Sequence, residues 1–178
     1  MSVVLSLPGL VALHTAISLI GLVIGAFVLR GIFLSRRPGG MSALFLASML
    51  LTDISGFLFP LRQIGLGQIV GALSLVLLVP TILACSVHRL AGAWRWIYVL
   101  GIAGTLYLDA LIAVFMAFAK LPPLKGAGPE PLYAVQIAVL TLFIYLGAYG
   151  AARFRPKVAA RSSLDFVTTA GKETRLGA

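Results

Sequence analysis

Residues 7–29 of the chain read LPGLVALHTAISLIGLVIGAFVL, a stretch without a single Asp, Glu, Lys or Arg. About 20 such residues, coiled as a helix, cross the hydrocarbon core of a bilayer. Lipid offers the backbone no hydrogen-bond partners, so a segment that spans it must satisfy its own amides as a helix. The stretch therefore predicts a transmembrane helix. Its length, and the lack of a basic residue before Arg30, argue against a cleavable signal peptide.

The composition of the whole chain leads to the same class of protein. Of its 178 residues, 60% are hydrophobic and only 11% are charged, whereas a water-soluble domain needs a more charged exterior. Four further apolar stretches follow the first. The sequence thus predicts an all-α, polytopic membrane protein, with residues 1–152 forming a bundle of five transmembrane helices. The predicted spans lie near residues 7–29, 42–60, 66–87, 96–119 and 132–152.

The Lys and Arg residues orient the predicted bundle. Of the 14, the topology places 11 on one side and three on the other. Cytoplasmic loops carry the excess of basic residues, so we expect the N-terminus outside and the C-terminus in the cytoplasm. Residues 153–178 would form a basic, flexible cytoplasmic tail, attracted to anionic lipid headgroups. The net charge of +9 does not indicate nucleic-acid binding, because the basic residues flank apolar runs.

Polar side chains inside the predicted spans are the candidate functional residues, since burying them in lipid is costly. At about 1.5 Å per residue, five of them fall in the outer half of the bilayer: His14, Asp53, Gln68, Asp109 and Gln136. If they converge, one carboxyl would stay neutral and a charged His14 would stabilise the other. Alternatively each is satisfied separately, with Thr52 and Ser55 as local partners of Asp53.

The other histidine, His88, falls at the inner end of the third span. It lies roughly 20 Å from His14 along the membrane normal, so the two cannot bridge one haem iron. A haem held by a single histidine and a quinone both stay open as cofactors. The local sequence predicts instead an interfacial anchor at the membrane surface, formed by His88, Arg89, Trp94, Arg95 and Trp96.

No catalytic or metal-binding motif accompanies these residues. The chain has one cysteine, Cys85, and lacks a nucleophile elbow, a Walker loop and a zinc-protease helix. With two distant histidines, a zinc site has little to build on. We therefore expect neither catalytic residues nor a metal site, and the sequence leans against an enzyme.

Two GxxxG patterns, at Gly21–Gly25 and Gly67–Gly71, predict places where helices approach each other. Small residues at this spacing let helix backbones pack closely in lipid. Contacts within the chain are the favoured interpretation, and a homodimer is the alternative.

Five segments carry a family resemblance: HTAIS at 14–18, SGFLFP at 55–60, LAGAWRWIY at 90–98, LYL at 106–108 and ARFRP at 152–156. Together they resemble a family of small, uncharacterised bacterial multipass inner-membrane proteins. The resemblance implies an inner-membrane location and brings no assigned reaction. In similar proteins histidine stands at the position of Gln68, a neutral polar residue at Asp53 and asparagine at Asp109. Gln68 is a weaker ligand, so the haem or metal pair that suits those relatives does not carry over.

Three functions of different class follow from the sequence. The first is a small accessory protein that binds a cofactor, a quinone or an ion at the outer polar site. The second is a structural or assembly subunit of a membrane complex, without chemistry of its own. The third is a proton-linked transporter in which Asp53 and Asp109 titrate.

Overall fold

The computed structural model of the chain describes residues 7–59, 65–126 and 128–155. Within these ranges it is all-helical, with the helices α1 (Leu7–Phe33), α2 (Gly40–Phe57), α3 (Leu66–Ser86), α4 (Trp94–Lys120) and α5 (Pro129–Arg153). All five are long and apolar enough to cross a membrane. The prediction of an all-α chain with five helices of spanning length is confirmed. The membrane orientation stays a prediction, and residues 156–178 of the predicted tail lie outside the described residues.

The helix ends depart from the predicted spans for local reasons. α5 begins at Pro129, earlier than the apolar run, because proline suits the first turn of a helix. α1 continues to Phe33 with Arg30 in its last turn, where a cation interacts favourably with the helix dipole. The helical hydrogen bonding therefore continues beyond the apolar residues from which the spans are predicted.

Consecutive helices alternate in direction. Contacts between neighbours run oppositely along the two sequences: Gly21–Met49 and Gly25–Phe45 between α1 and α2, and Leu77–Gly104 and Thr81–Gly101 between α3 and α4. We call the end of the bundle at which α1 begins the N-terminal end, and the end at which α5 finishes the C-terminal end. In the predicted topology these face the outside and the cytoplasm, respectively.

The hydrophobic core occupies the C-terminal half of the bundle. It combines residues from all five helices, and Phe45, Val99 and Ile102 are fully buried. The Tyr98 hydroxyl lies 2.8 Å from the Ser42 hydroxyl, so this buried pair is hydrogen-bonded across α2 and α4. The larger cavity among the described residues lies in the other half, while a smaller one of about 410 Å³ opens between α2 and α3 at the C-terminal end. The outward surfaces of the helices expose apolar side chains, which are compatible with contact to a lipid bilayer.

The two GxxxG patterns have different outcomes. Gly21 and Gly25 are buried, and a Cβ at Gly25 would lie 2.7 Å from the ring of Phe45, so this pattern marks a close helix contact as predicted. At Gly67 the prediction is wrong. A Cβ there would meet no atom within 4 Å in the part of the chain that is described.

Candidate functional site

A cavity of about 720 Å³ lies among α1, α2, α3 and α4 in the N-terminal half of the bundle. Its walls are mostly apolar, but four of the five predicted polar side chains line it: His14, Asp53, Gln68 and Asp109. Each comes from a different helix. The alternating directions of the helices bring the four to the same half of the bundle, although they are far apart in sequence.

A short hydrogen-bond chain holds His14 in place. Its Nδ1 lies 2.9 Å from the hydroxyl of Ser55, and that hydroxyl donates to the carbonyl of Thr52 at 2.9 Å. A serine hydroxyl has one hydrogen, so Nδ1 must donate to Ser55 when the ring is neutral. The lone pair then resides on Nε2. The ring of Phe59 meets the imidazole edge-on, with 5.3 Å between centroids.

This bonding predicts the tautomer of His14. In the protein labelled with ¹⁵N-histidine, the neutral ring of His14 is expected to carry its proton on Nδ1. Two-bond ¹H–¹⁵N couplings measure this directly, and the variant His88→Gln identifies the signals by removing those of the other histidine. A proton on Nε2 would contradict the assignment, since the Ser55 hydroxyl would then have to turn away from Thr52.

The two carboxyl groups are each held by a serine of a neighbouring helix. Ser18 donates to Asp109 Oδ1 at 2.7 Å, and Ser74 hydrogen-bonds to Asp53. The other oxygen of each carboxyl, Oδ2, is buried without a hydrogen-bond partner among the described residues, as is the hydroxyl of Thr52. Both carboxyls line the same cavity, so negative charges on both would repel each other. The site therefore holds three buried oxygens with unused hydrogen-bonding capacity.

Two expectations for these groups are corrected. Thr52 and Ser55 are not the partners of Asp53, because Ser55 bonds to His14 and Asp53 turns to Ser74 on α3. No ion pair joins His14 to either carboxyl within the described ranges: Nδ1 of His14 bonds to Ser55, and Asp109 accepts from Ser18. Serine hydroxyls on neighbouring helices bond to these three ionisable groups, which therefore do not bond to each other.

Gln68 and Gln136 each bond to the backbone, at different places in the bundle. Gln68 lines the cavity, but its Oε1 accepts a hydrogen bond of 2.9 Å from the backbone amide of Gly65, which satisfies a free amide at the start of α3. Gln136 does not line the cavity. Its Nε2 donates to the Leu111 carbonyl at 2.9 Å and ties α5 to α4. The prediction that all five polar residues share one site is therefore wrong for Gln136.

Some residues of the cavity wall were missed in the sequence, notably Ser18 and Ser74. A signal for them existed in the helical period. Ser18 follows His14 by one turn, and Ser74 follows Gly71 on the same side of α3, so each shares a face with a cavity residue. Serine at such positions is too common to single out without knowing which helix face turns inward.

The predicted interfacial anchor lies at the opposite, C-terminal end. His88 stacks on Trp94 with 3.6 Å between ring centroids, and the Arg95 guanidinium lies 6.0 Å from the ring of Trp96. Arg89 joins them in the connection between α3 and α4, where it adopts a φ of 47°. The structure thus shows two contacts in this segment, His88 with Trp94 and Arg95 with Trp96. The contact of these residues with a membrane surface stays a prediction.

Within the described residues, no group of three or more His, Cys, Asp or Glu side chains is arranged to hold a metal ion. Comparisons with protein-family models, with curated proteins and with solved structures each find no match. The resemblance drawn from the sequence thus stays a prediction, and the chemistry of the cavity is the guide to function.

Proposed function

We propose that the protein is a membrane-embedded binding protein that holds a small amphipathic molecule in this cavity. One observation carries the proposal: Thr52, Asp53 and Asp109 line the same cavity, and one buried oxygen of each has no partner among the described residues. Leaving a buried polar atom unpaired costs about 1–3 kcal/mol. A guest whose polar head bonded to these oxygens would offset that cost.

The size and lining of the cavity favour an organic molecule over a bare ion. Sites for small molecules typically enclose roughly 300–1,000 Å³, with apolar walls and a few polar groups that orient the ligand. The cavity has about 720 Å³ and fits this description. An ion would occupy only a small part of it. Lipid-soluble cofactors such as quinols, with a polar ring and an apolar tail, belong to the class that the cavity suits.

The charge distribution of the sequence supports access from the outer side. The residues that line the cavity include Gly65 and Leu121, which flank helices at the N-terminal end of the bundle. The positive-inside rule predicts that this end faces away from the cytoplasm. We therefore propose that the ligand reaches the site from the outer leaflet or the outer aqueous phase, and that the protein serves as an accessory or carrier of that ligand.

The proposal is tested by measuring how a small probe molecule binds to the parent chain and to a variant whose larger side chain fills part of the cavity. Isothermal titration of 4-phenylbutanol into the full chain in phosphatidylcholine nanodiscs is expected to show saturable binding. Gly71→Leu should weaken it at least about tenfold, because Gly71 lines the cavity and its new side chain has room to grow inward. Gly31→Leu is the matched control, since Gly31 lies on a helix, outside the cavity, and an added Cβ would meet no atom of the described residues within 4 Å.

Equal binding by the parent and Gly71→Leu, or no saturable binding by the parent, would refute the proposal. Proton-linked transport is the second candidate, favoured by the two carboxyls, Asp53 and Asp109, in one cavity. It requires the close-packed C-terminal half, with Phe45 and Ile102 at its centre, to open. Proton flux into liposomes that is lost in Asp109→Asn would favour transport over binding alone.

A further inference from the structure

We infer that the ligand is an amphipathic organic cation whose head carries N–H donors, such as an alkylammonium. The inference rests on the proposed function and narrows it to one class of ligand. It is carried by the kind of polar atoms that the cavity offers, the charges around them and the aromatic rings in its wall.

Of the three unused oxygens of the site, the two on the carboxyl groups are acceptors when ionised, and the third, the Thr52 hydroxyl, can donate or accept. An ionised carboxylate can only accept hydrogen bonds, and this applies to the unpartnered Oδ2 atoms of Asp53 and Asp109. Nε2 of His14 is a third acceptor in the tautomer that Ser55 imposes. The side chain of Asp53 is only 9% exposed, so water reaches it poorly. A ligand that satisfies these atoms must bring donors, and an oxidised quinone, which has only acceptors, does not.

The charges of the cavity wall point the same way. Asp53 and Asp109 contribute two carboxyls to it, and the cationic side chain among the described lining residues is Lys120. Lys120 lies about 16 Å along α4 from Asp109, at the exposed end of the helix. It cannot neutralise the carboxyls at that distance. A cationic head placed between them would pair with both and relieve their mutual repulsion.

The apolar part of the wall suits an organic cation. Phe57, Phe59 and Phe115 line the cavity, and aromatic faces attract cations while also packing against hydrocarbon. A metal ion is the weaker fit, because no three-ligand group exists within the described residues and most of the volume would be left unfilled. Donor groups, positive charge and an apolar body together define an amphipathic amine in its protonated form.

Three probes with the same phenylbutyl body and different heads test each element of this inference. Binding of 4-phenylbutylammonium, its N,N,N-trimethyl analogue and 4-phenylbutanol is measured by titration of the full chain in phosphatidylcholine nanodiscs. The trimethyl analogue keeps the charge without N–H donors, and the alcohol keeps one donor without the charge. Phenylbutylammonium is expected to bind at least about tenfold more tightly than either, because hydrogen bonds to charged groups are the stronger ones.

The variants Asp53→Asn and Asp109→Asn locate the preference. Each should weaken binding of phenylbutylammonium at least about tenfold and binding of the alcohol by a smaller factor, because asparagine keeps one acceptor oxygen and loses the charge. Glu130→Gln is the control, because Glu130 is an exposed carboxylate at the start of α5, outside the cavity. If Asp53→Asn does not fold, Asp109→Asn alone decides.

The outcomes separate this inference from the function on which it rests. If the alcohol or the trimethyl analogue binds the parent as tightly as the ammonium, and Gly71→Leu abolishes that binding, the cavity is a binding site and the inferred ligand class is wrong. An ammonium preference that survives both aspartate substitutions also overturns the inference. If none of the three probes binds the parent saturably, the inference and the proposed function fall together.

Discussion

Gly101→Ala is expected to lower the free energy of unfolding of the bundle by about 1–3 kcal/mol, the usual cost of an overpacked core. Gly101 on α4 faces Thr81 on α3. An added Cβ would collide with the Thr81 hydroxyl and lie 2.9 Å from its Cβ and 3.2 Å from its Cγ2. Thr81 cannot rotate freely out of the way, because it is fully buried and its hydroxyl donates to the Leu77 carbonyl at 2.6 Å.

Gly31→Ala provides the matched control for this prediction. Gly31 also lies within a helix, α1, but an added Cβ would meet no atom within 4 Å among the described residues. Alanine is the better helix former by about 1 kcal/mol, so this variant should be neutral or slightly more stable. Reversible unfolding in mixed micelles, followed by circular dichroism, measures both. Equal stabilities of the two variants would mean that α3 and α4 do not pack through this contact.

Asp109→Leu is expected to stabilise the empty protein by about 2 kcal/mol, since insertion of Asp at a helix centre costs about 2.5–3.5 kcal/mol. The contacts of Asp109 in the folded structure do not offset this expected gain in stability. Asp109 Oδ2 is buried without a hydrogen-bond partner among the described residues, and Asp53 places a second carboxyl in the same cavity. Ser18, which donates to Asp109, can turn its hydroxyl to a carbonyl of its own helix, as Thr15 does with Val11.

The same substitution should abolish binding of 4-phenylbutylammonium, so stability and binding change in opposite directions. That combination is the mark of a residue kept for a ligand and not for the fold. Glu130→Leu is the control. It removes an exposed carboxylate from the first turn of α5 and should change stability by less than about 1 kcal/mol. If Asp109→Leu is less stable than the parent, the carboxyl is needed to hold α1 against α4.

The sequence predicts several residues of the site, but it predicts few of the hydrogen bonds that these residues make. His14, Asp53 and Asp109 stand out in the sequence because ionisable groups are rare in apolar helices. Their partners do not stand out. Ser74 was missed as the partner of Asp53, because the hydroxyls nearest in sequence, on Thr52 and Ser55, were equally good candidates by chemistry. Only the approach of α3 to α2 makes Ser74 the neighbour.

The two GxxxG patterns have different surroundings in the structure for a related reason. Gly21 and Gly25 lie at a helix contact, whereas Gly67, at the same spacing from Gly71, lines open space in the cavity. The spacing shows that a helix has a smooth face. It does not show whether another helix or an empty space lies opposite that face.

The sequence by itself determined the number of helices and the level at which each polar side chain lies. A rise of about 1.5 Å per residue converts position along an apolar run into height in the bundle. Rotation about each helix axis was decided by the tertiary structure. Contacts such as Gly25 with Phe45 and Thr81 with Gly101 set it, because side chains interlock there. That rotation turned Asp53 and Asp109 towards one cavity, and it left Gln136, at a similar height, outside it.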